Sequence, residues 1–372
     1  MNVEQFISYR SPRFFDEFKR IREKAFVSEI KHLSLARTNL KIHNKSYISC
    51  IQVDSTENKF LVSGDNMGRI RLFNLRMLDN KSYFRTEIAI SNSEAHPECH
   101  HKRITALSWY PIDNGLFVSA STDCFLNIWD TSTFDIISNF KFKAPILDVQ
   151  MPSEGSFTHK LIAVCSSSLG VTLVDLYSGN RTQTIRQNPG DAACCCWNPL
   201  NEFELIVGDS RGYALVYDIR KSALNNVLGV LGNNTPKNSP VPISETPIQS
   251  IQFTPNGNTI ICTSSEANPI KLFRGNTYDA IDMRIEGVSP WGNVIPKPCV
   301  AGEGDESFLF FPDPTNCVVK CIDLCNGKIV NSLHGHVDAA ICCSFRRSHN
   351  ELLVELARES GVDIREDGMD LC

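Results

Sequence analysis

A single pattern of short apolar runs recurs along most of this chain. From about residue 45 onward, an apolar run is followed by a turn, a second run rich in small residues, a polar turn, and a third run that ends in an aromatic or aliphatic residue. Short apolar runs bounded by turn residues are typical of β-strands. The third runs recur roughly every 40 to 55 residues, and they read IRLFNLR, FLNIWD, VTLVDLYSG, ALVYDIR, IKLFRGN and VVKCIDLCNG. We therefore expect an array of small, similar sheets.

The clearest copy contains the strands ITALSWYP, GLFVSAS and FLNIWD, and the pair Trp129-Asp130 closes it. Four-stranded repeats of about 40 to 45 residues that end in Trp-Asp are the signature of WD-repeat propeller blades. The sequence thus predicts an all-β fold, a seven-bladed WD-repeat β-propeller over residues 41–372.

The last copy, ELLVELARESGVDIREDGMDLC, has no Trp-Asp, so its blade is expected to be degenerate or incomplete. A propeller must close its ring to hide its strand edges. We expect the strand near Ser46 to Val53, or one just before it, to complete that last blade.

A buried hydrogen-bonded chain is predicted inside the second blade. Its members are His100, Ser121 with Ser119 as the alternative hydroxyl, Asp123 and Trp129. Such a network stabilises a fold only when every polar group in it has a partner. The last copy carries His336 at the position of the first histidine.

Residues 1–40 differ from the repeats and are predicted to form a helical docking segment. Ser11 and Pro12 suit a helix start, as N-cap and first-turn proline. The residues that follow place apolar side chains at helical spacing. That apolar face includes Phe14, Phe15, Phe18, Ile21 and Phe26. It can pack on the chain's own ring or dock into another protein, and the sequence leaves both open.

Composition and motifs argue against several functions. A net charge of -5 disfavours direct nucleic-acid binding, because phosphate contacts need excess Lys and Arg. No apolar run approaches the roughly 20 residues that span a bilayer, and the N-terminus lacks a secretory signal. We find no phosphate-binding loop, HExxH, GxSxG or CxxC motif. The chain is therefore expected to be no enzyme and to hold no cofactor or metal, and Cys194, Cys195 and Cys196 are expected in the core.

Two segments resemble a known family. HPECHHKRITALSWYPIDNGLFVSASTDCFLNIWDTSTFD is similar to the second blade of the Cockayne syndrome A family, the WD-repeat substrate receptors of cullin-4 RING ubiquitin ligases. SFLFFPDPTNCVVKCIDLCNGKIVNSLHGHVDAAICCSF resembles the sixth and seventh blades of that family. The tail after about residue 355 departs from the family pattern.

The resemblance implies a substrate receptor acting in transcription-coupled nucleotide excision repair in the nucleus. In that family an N-terminal helical segment docks into a large propeller adaptor, and an arginine after a blade's Trp-Asp assists. By resemblance, Asp218 and Arg220 match the arginine motif, and the five apolar helix residues named above match the docking segment. The implied targets are the Cockayne syndrome B ATPase and stalled RNA polymerase II. The alternative is a general WD-repeat scaffold for a chromatin or RNA-processing complex.

Overall fold

The computed structural model describes residues 12–34, 39–40, 46–78, 84–91, 98–152, 158–167, 170–186, 188–221, 226–232, 241–290, 295–334, 339–347 and 351–356. The side chains of residues 12–18, 39–40, 77–78, 84–88, 351 and 353–356 lie outside the described part. In the described part of the chain, one α-helix, α1 (Pro12–Lys31), precedes all of the strands. It starts at the proline that the sequence predicts, and Lys31 lies in its last turn, where a cation favours the helix dipole. No helix among these residues is long and apolar enough to cross a membrane.

The strands follow one another in chain order. They are β1 (Asn39–Leu40), β2 (Ile48–Val53), β3 (Phe60–Asp65), β4 (Ile70–Leu78), β5 (Phe84–Ile90), β6 (Ile104–Trp109), β7 (Leu116–Ser121), β8 (Phe125–Asp130), β9 (Ile136–Lys141), β10 (Ile146–Gln150), β11 (Leu161–Ser166), β12 (Gly170–Asp175), β13 (Arg181–Ile185), β14 (Ala192–Trp197), β15 (Glu204–Asp209), β16 (Ala214–Asp218), β17 (Val227–Val230), β18 (Ile248–Phe253), β19 (Thr259–Ser264), β20 (Ile270–Arg274), β21 (Ala280–Ile281), β22 (Cys299–Glu303), β23 (Glu306–Asp313), β24 (Val318–Asp323), β25 (Ile329–Leu333), β26 (Ala340–Arg346) and β27 (Glu351–Leu356).

The strands form an all-β propeller. Blade 1 is the five-stranded sheet of β1 to β5, in which β1 adds to β5 in parallel. Blades 2 to 6 are four-stranded antiparallel sheets, from β6–β9 through β22–β25. The first strands of successive blades contact one another around the axis. Apolar side chains from both faces of each sheet fill the gaps between neighbouring blades, so the central strands are buried on both sides.

The prediction of seven blades is wrong: the described residues form six complete blades. Between blade 6 and blade 1 stands a sheet of only two strands, β26 and β27. We call that sheet the partial blade. It shares one feature with the full blades, a one-residue β-bulge, which occurs in the first strands of blades 1 to 5 and in β26. The bulged residues are Ser49, Thr105, Leu147, Ala193, Gln249 and Ile341.

The ring also closes differently from the sequence-based expectation. β2 pairs with β3 as the first strand of blade 1 and adds nothing to the last sheet. Closure comes instead from side chains of the partial blade: Ser344 Oγ accepts the Val53 backbone N–H at 3.2 Å, and Arg346 Nε donates to the Asn58 carbonyl at 2.8 Å. On the other side, the Lys297 N–H donates to the Ile341 carbonyl at 2.7 Å. The partial blade therefore bonds to both of its neighbours.

The two faces of the ring can be told apart from the turns. Because neighbouring strands in a blade are antiparallel, the turns joining first to second and third to fourth strands share one face, here called the lower face. The turns joining second to third strands, and the connections between blades, lie on the opposite, upper face.

Neighbouring blades approach each other closely, since a Cβ added at Gly64 would lie 2.6 Å from Ile104 Cγ2 of the next blade.

Candidate partner-binding surfaces

Helix α1 lies against blade 6 and the partial blade. Phe26 and Ile30 are buried at 6% and 0% exposure and pack with Phe308, Phe310 and Phe345. The Phe26 ring lies 5.9 Å from that of Phe308 and 6.3 Å from that of Phe345. The apolar face of blade 6 would otherwise meet only the two strands of the partial blade. The second half of the helix therefore covers a surface that the outer strands of a full blade cover elsewhere in the ring.

This placement corrects one predicted partner-binding residue. The Phe26 side chain is an internal packing residue of the chain and is not on a surface that a partner can reach. Ile21 is 64% exposed, as a docking residue must be. The side chains of Phe14, Phe15 and Phe18 lie outside the described part of the structure, although their backbone belongs to α1.

Polar contacts fix the middle of the helix on the lower face. Arg22 Nη2 lies 2.7 Å from Glu303 Oε1, and Lys19 Nζ lies 3.7 Å from Asp305 Oδ2. Glu303 and Asp305 belong to the turn between the first two strands of blade 6, which is a lower-face turn. The basic side chains of the helix therefore meet an acidic turn of their own chain, a pairing that the sequence analysis missed. The signal was present as the acidic stretch GEGDE.

Arg220 is held in a fixed position at the lower face of blade 4. Its Nε and Nη2 donate to Asp218 Oδ1 and Oδ2, both at 3.0 Å, and its backbone N–H also donates to Oδ1. The guanidinium carbon lies 4.4 Å from the centre of the Phe203 ring, a stacking platform that sequence reasoning missed. The Arg220 side chain is still 57% exposed. Hydrogen bonds from Arg220 keep the pKa of Asp218 below its ordinary value, although burial opposes this.

The two candidate elements share one face. Arg220 follows the third strand of blade 4, and that turn, like the blade 6 turn beneath the helix, belongs to the lower face. A partner approaching this face meets a rigid, exposed guanidinium at blade 4 and, at blade 6, the part of α1 in which Ile21 is exposed. The arrangement suits protein recognition, in which rigid arginine and apolar anchors are favoured.

The predicted network of blade 2 is present, with a different serine. The Trp129 Nε1–H donates to Ser119 Oγ at 2.8 Å, the Ser119 hydroxyl lies 2.8 Å from His100 Nε2, and His100 Nδ1 lies 3.0 Å from Asp123 Oδ2. One tautomer, with the His100 proton on Nδ1, satisfies all three contacts. Burial favours neutral Asp123, but hydrogen bonds from His100 and from the Phe125 and His101 backbone N–H groups lower its pKa.

Ser121, the serine first assigned to the network, has another role. Its hydroxyl donates to the Lys102 carbonyl at 3.0 Å and accepts the Asp123 backbone N–H at 3.2 Å. It therefore shapes the turn that presents the carboxylate, and Ser119 is the network member. His336 lies outside the described residues.

The cysteine run behaves as predicted. Cys195 packs between blades 3 and 4, whereas Cys194 and Cys196 pack between blades 4 and 5. Burial raises the pKa of the Cys196 thiol, and the same holds for Cys194. These sulfurs are therefore core atoms in their neutral form.

Comparisons with known proteins agree with this architecture. A family model described as "WD domain, G-beta repeat" matches residues 92–130. In fold, the chain is similar to the β-propeller domain of Cps50 (Swd1) from Myceliophteria thermophila, with a TM-score of 0.64 and 14% identity over 82% of this chain and 92% of that one. The chain is thus a WD-repeat β-propeller protein with one N-terminal helix.

The chain is similar in sequence to several curated proteins. "WD repeat-containing protein ATCSA-1" of Arabidopsis thaliana is 29% identical over 222 residues, which cover 57% of this chain and 49% of that protein. "Radiation-sensitive protein 28" of Saccharomyces cerevisiae is 30% identical over 152 residues, 38% of this chain and 29% of that protein. The match thus spans about half of the plant relative and less than a third of the yeast one. "Ribosome biogenesis protein YTM1" of Chaetomium thermophilum is 27% identical over 124 residues, 32% of this chain and 25% of that protein.

Proposed function

We propose that this WD-repeat protein is the substrate-recognition subunit of a cullin-4 RING ubiquitin ligase acting in transcription-coupled nucleotide excision repair. It has no catalytic role of its own, and it works in the nucleus. Its ligase partner is the propeller adaptor, and its targets are the Cockayne syndrome B ATPase and stalled RNA polymerase II. The names of the plant and yeast relatives, ATCSA-1 and radiation-sensitive protein, support this proposal.

The observation that carries the proposal is the shared face of Ile21 and Arg220. Ile21 is 64% exposed on a helix anchored by buried neighbours, and Arg220 is 57% exposed although it is fixed by Asp218 and Phe203. A pre-organised side chain loses little conformational entropy when a partner binds. The lower face therefore offers a rigid contact surface for a large adaptor.

The test is co-elution of the purified full chain with the adaptor on size exclusion, followed by a binding titration. Phe18→Asp combined with Ile21→Asp is expected to abolish co-elution, and Arg220→Glu to weaken binding. The matched control is Ile90→Asp, since Ile90 is 41% exposed at the upper-face end of β5 in blade 1, away from this surface. If the double variant still binds like the control, the helix is not the docking element. If the wild-type chain does not bind the adaptor, the ligase role is wrong.

A second candidate is a general WD-repeat scaffold for a chromatin or RNA-processing complex. The burial of Phe26 and Ile30 against the chain's own ring favours it, because a self-packed helix needs no adaptor. Relatives named "Ribosome biogenesis protein YTM1" and "Retinoblastoma-binding protein 5 homolog" also agree with it. Limited proteolysis tests the packing. If cleavage occurs only before residue 22, the start of α1 is free for docking, which favours the ligase role. If all of residues 12–31 resist cleavage, the scaffold is favoured.

A further inference from the structure

The upper face of blades 2 to 4 carries a cluster of cations. Lys102 and Arg103 lie in the connection into blade 2, Lys143 in the connection into blade 3, and Arg186 and Arg211 at blade 4. All are exposed except Arg103, which is half-buried. None of the five forms an ion pair with another described residue. We call these five residues the cationic cluster.

Few acidic groups balance the cluster. Among the described residues of these upper-face connections, the exposed carboxylates are Glu98 and Asp191. Asp123 is already held by His100 and by the His101 backbone N–H at 3.1 Å. Asp209 is 0% exposed and accepts the backbone N–H groups of its own turn. A chain with a net charge of -5 therefore concentrates positive charge on one part of one face, and the described residues there leave that charge without ion pairs.

The interior of the cluster has polar atoms without partners. Arg103 Nε and Thr105 Oγ1 are buried and make no hydrogen bond among the described residues. An unpaired buried donor costs about 1 to 3 kcal/mol. In the described part of the chain the Arg103 guanidinium lacks an internal acceptor for its Nε–H, and its charge favours a negatively charged ligand nearby. Carboxylate oxygens, like phosphate oxygens, are acceptors that suit a guanidinium well.

An apolar anchor lies at the edge of the cluster. Met67 is 55% exposed in the upper-face turn of blade 1. That turn touches the next connection, because a Cβ added at Gly68 would lie 2.5 Å from the His100 carbonyl oxygen. Met67 thus lies in a turn that contacts the His100–His101 backbone, directly before Lys102 and Arg103 in the chain. Methionine is flexible and polarisable, and it is common on surfaces that bind varied partners.

We infer that the upper face of blades 2 to 4 binds an extended acidic protein segment, with an apolar side chain against Met67 and carboxylates along the cationic cluster. A nucleic acid fits less well. Single strands need exposed aromatic rings for stacking, and the exposed large hydrophobic residues of this face include no Phe, Tyr or Trp among the described ones. This inference goes beyond the proposed ligase role and stands apart from it, because the surface is on the face opposite α1 and Arg220.

The test is fluorescence anisotropy with the full chain and a labelled peptide of about 12 residues, which spans about 40 Å when extended. The peptide contains glutamates along its length and one leucine near its start, and a second peptide has glutamine in place of every glutamate. We expect the glutamate peptide to bind with an affinity that falls as salt rises, since exposed charges are screened. The glutamine peptide is expected to bind at least about tenfold more weakly.

The variant is Lys143→Glu, Arg186→Glu and Arg211→Glu together, all at exposed positions, so that folding is unaffected. Its affinity for the glutamate peptide should drop by at least about tenfold. The matched control reverses three exposed cations of the lower face, Lys221, Arg274 and Lys328, with the same change in net charge. An equal loss in the control, equal binding of the glutamine peptide, no binding by the wild type, or tighter binding of single-stranded DNA of matched length would each overturn the inference. None of these outcomes bears on adaptor binding.

Discussion

Replacement of Phe26 by alanine tests whether α1 is part of the ring or a free arm. The Phe26 side chain is 6% exposed, and its ring contacts Phe308 of blade 6 and Phe345 of the partial blade. Among the described side chains of the helix, Ile30 is the other buried one, Val27 is partly buried, and Arg22 forms a surface contact with Glu303. The substitution therefore removes one of the two buried apolar side chains in the described part of the helix.

The expected loss follows from the buried area. An aromatic side chain buries roughly 150 to 250 Å², which at about 25 cal/mol per Å² amounts to about 4 to 6 kcal/mol as an upper bound. Core Phe→Ala substitutions cost about 3 to 5 kcal/mol. Exposed ion pairs contribute about 0 to 1 kcal/mol each and cannot replace this. Since every 1.4 kcal/mol is about tenfold, the helix should detach roughly two to four powers of ten more often.

Native-state amide hydrogen exchange measures that detachment, because it reports local opening separately from global unfolding. In Phe26→Ala, amides of residues 22–31 should exchange much faster, while those of β7 and β8 keep their protection. The control is Ile21→Ala, which removes an apolar side chain that is 64% exposed and should change the free energy of opening by less than about 0.5 kcal/mol. Equal exchange of the helix in the two variants would refute the packing argument.

Two other substitutions test the interior of the ring. Ser119→Ala leaves the buried Trp129 Nε1 and His100 Nε2 without partners, which should lower the free energy of unfolding by about 2 to 4 kcal/mol in urea titrations. Ser132→Ala, at an exposed turn, should cost less than about 0.5 kcal/mol, and a similar cost for both would contradict the network. Burial raises the pKa of Asp148 to about 6, so its protonated form favours the folded state and that stabilisation is lost as the pH rises through about 6. As the pH rises from about 4 to about 7, the free energy of unfolding of the wild type should fall by about 1 to 3 kcal/mol more than that of Asp148→Asn. Parallel pH profiles of the two proteins would contradict this assignment.

The strands could be predicted from the sequence because their apolar runs are bounded by turn residues. The sequence also predicted the histidine, aspartate and tryptophan of the blade 2 network, but it did not determine which serine joins them. Ser119 and Ser121 are two residues apart in one strand, so both side chains point to the same side of the sheet. Only their depth relative to His100 distinguishes them, and depth depends on how the loop before blade 2 lies over the ring.

The last blade and the helix were harder to predict for a common physical reason. The apolar spacing of α1 predicts an amphipathic helix but does not say which surface it covers. That surface exists because β26 and β27 form only a two-stranded sheet in the described part of the chain, which leaves part of blade 6 to be covered by another element. Counting apolar runs gave seven repeats, although a repeat count does not show how many strands each repeat contributes.

The two halves of α1 serve different purposes, and this limits how a partner can bind. If a partner pulled the whole helix away, it would expose Phe26, Ile30 and the apolar face of blade 6, at a cost of several kcal/mol by the estimate for Phe26 alone. A partner that contacts only the part of the helix up to Ile21 avoids that cost. Binding at the lower face therefore leaves the ring closed, so substitutions before residue 22 should weaken binding without loss of stability, whereas those at Phe26 and Ile30 should weaken both.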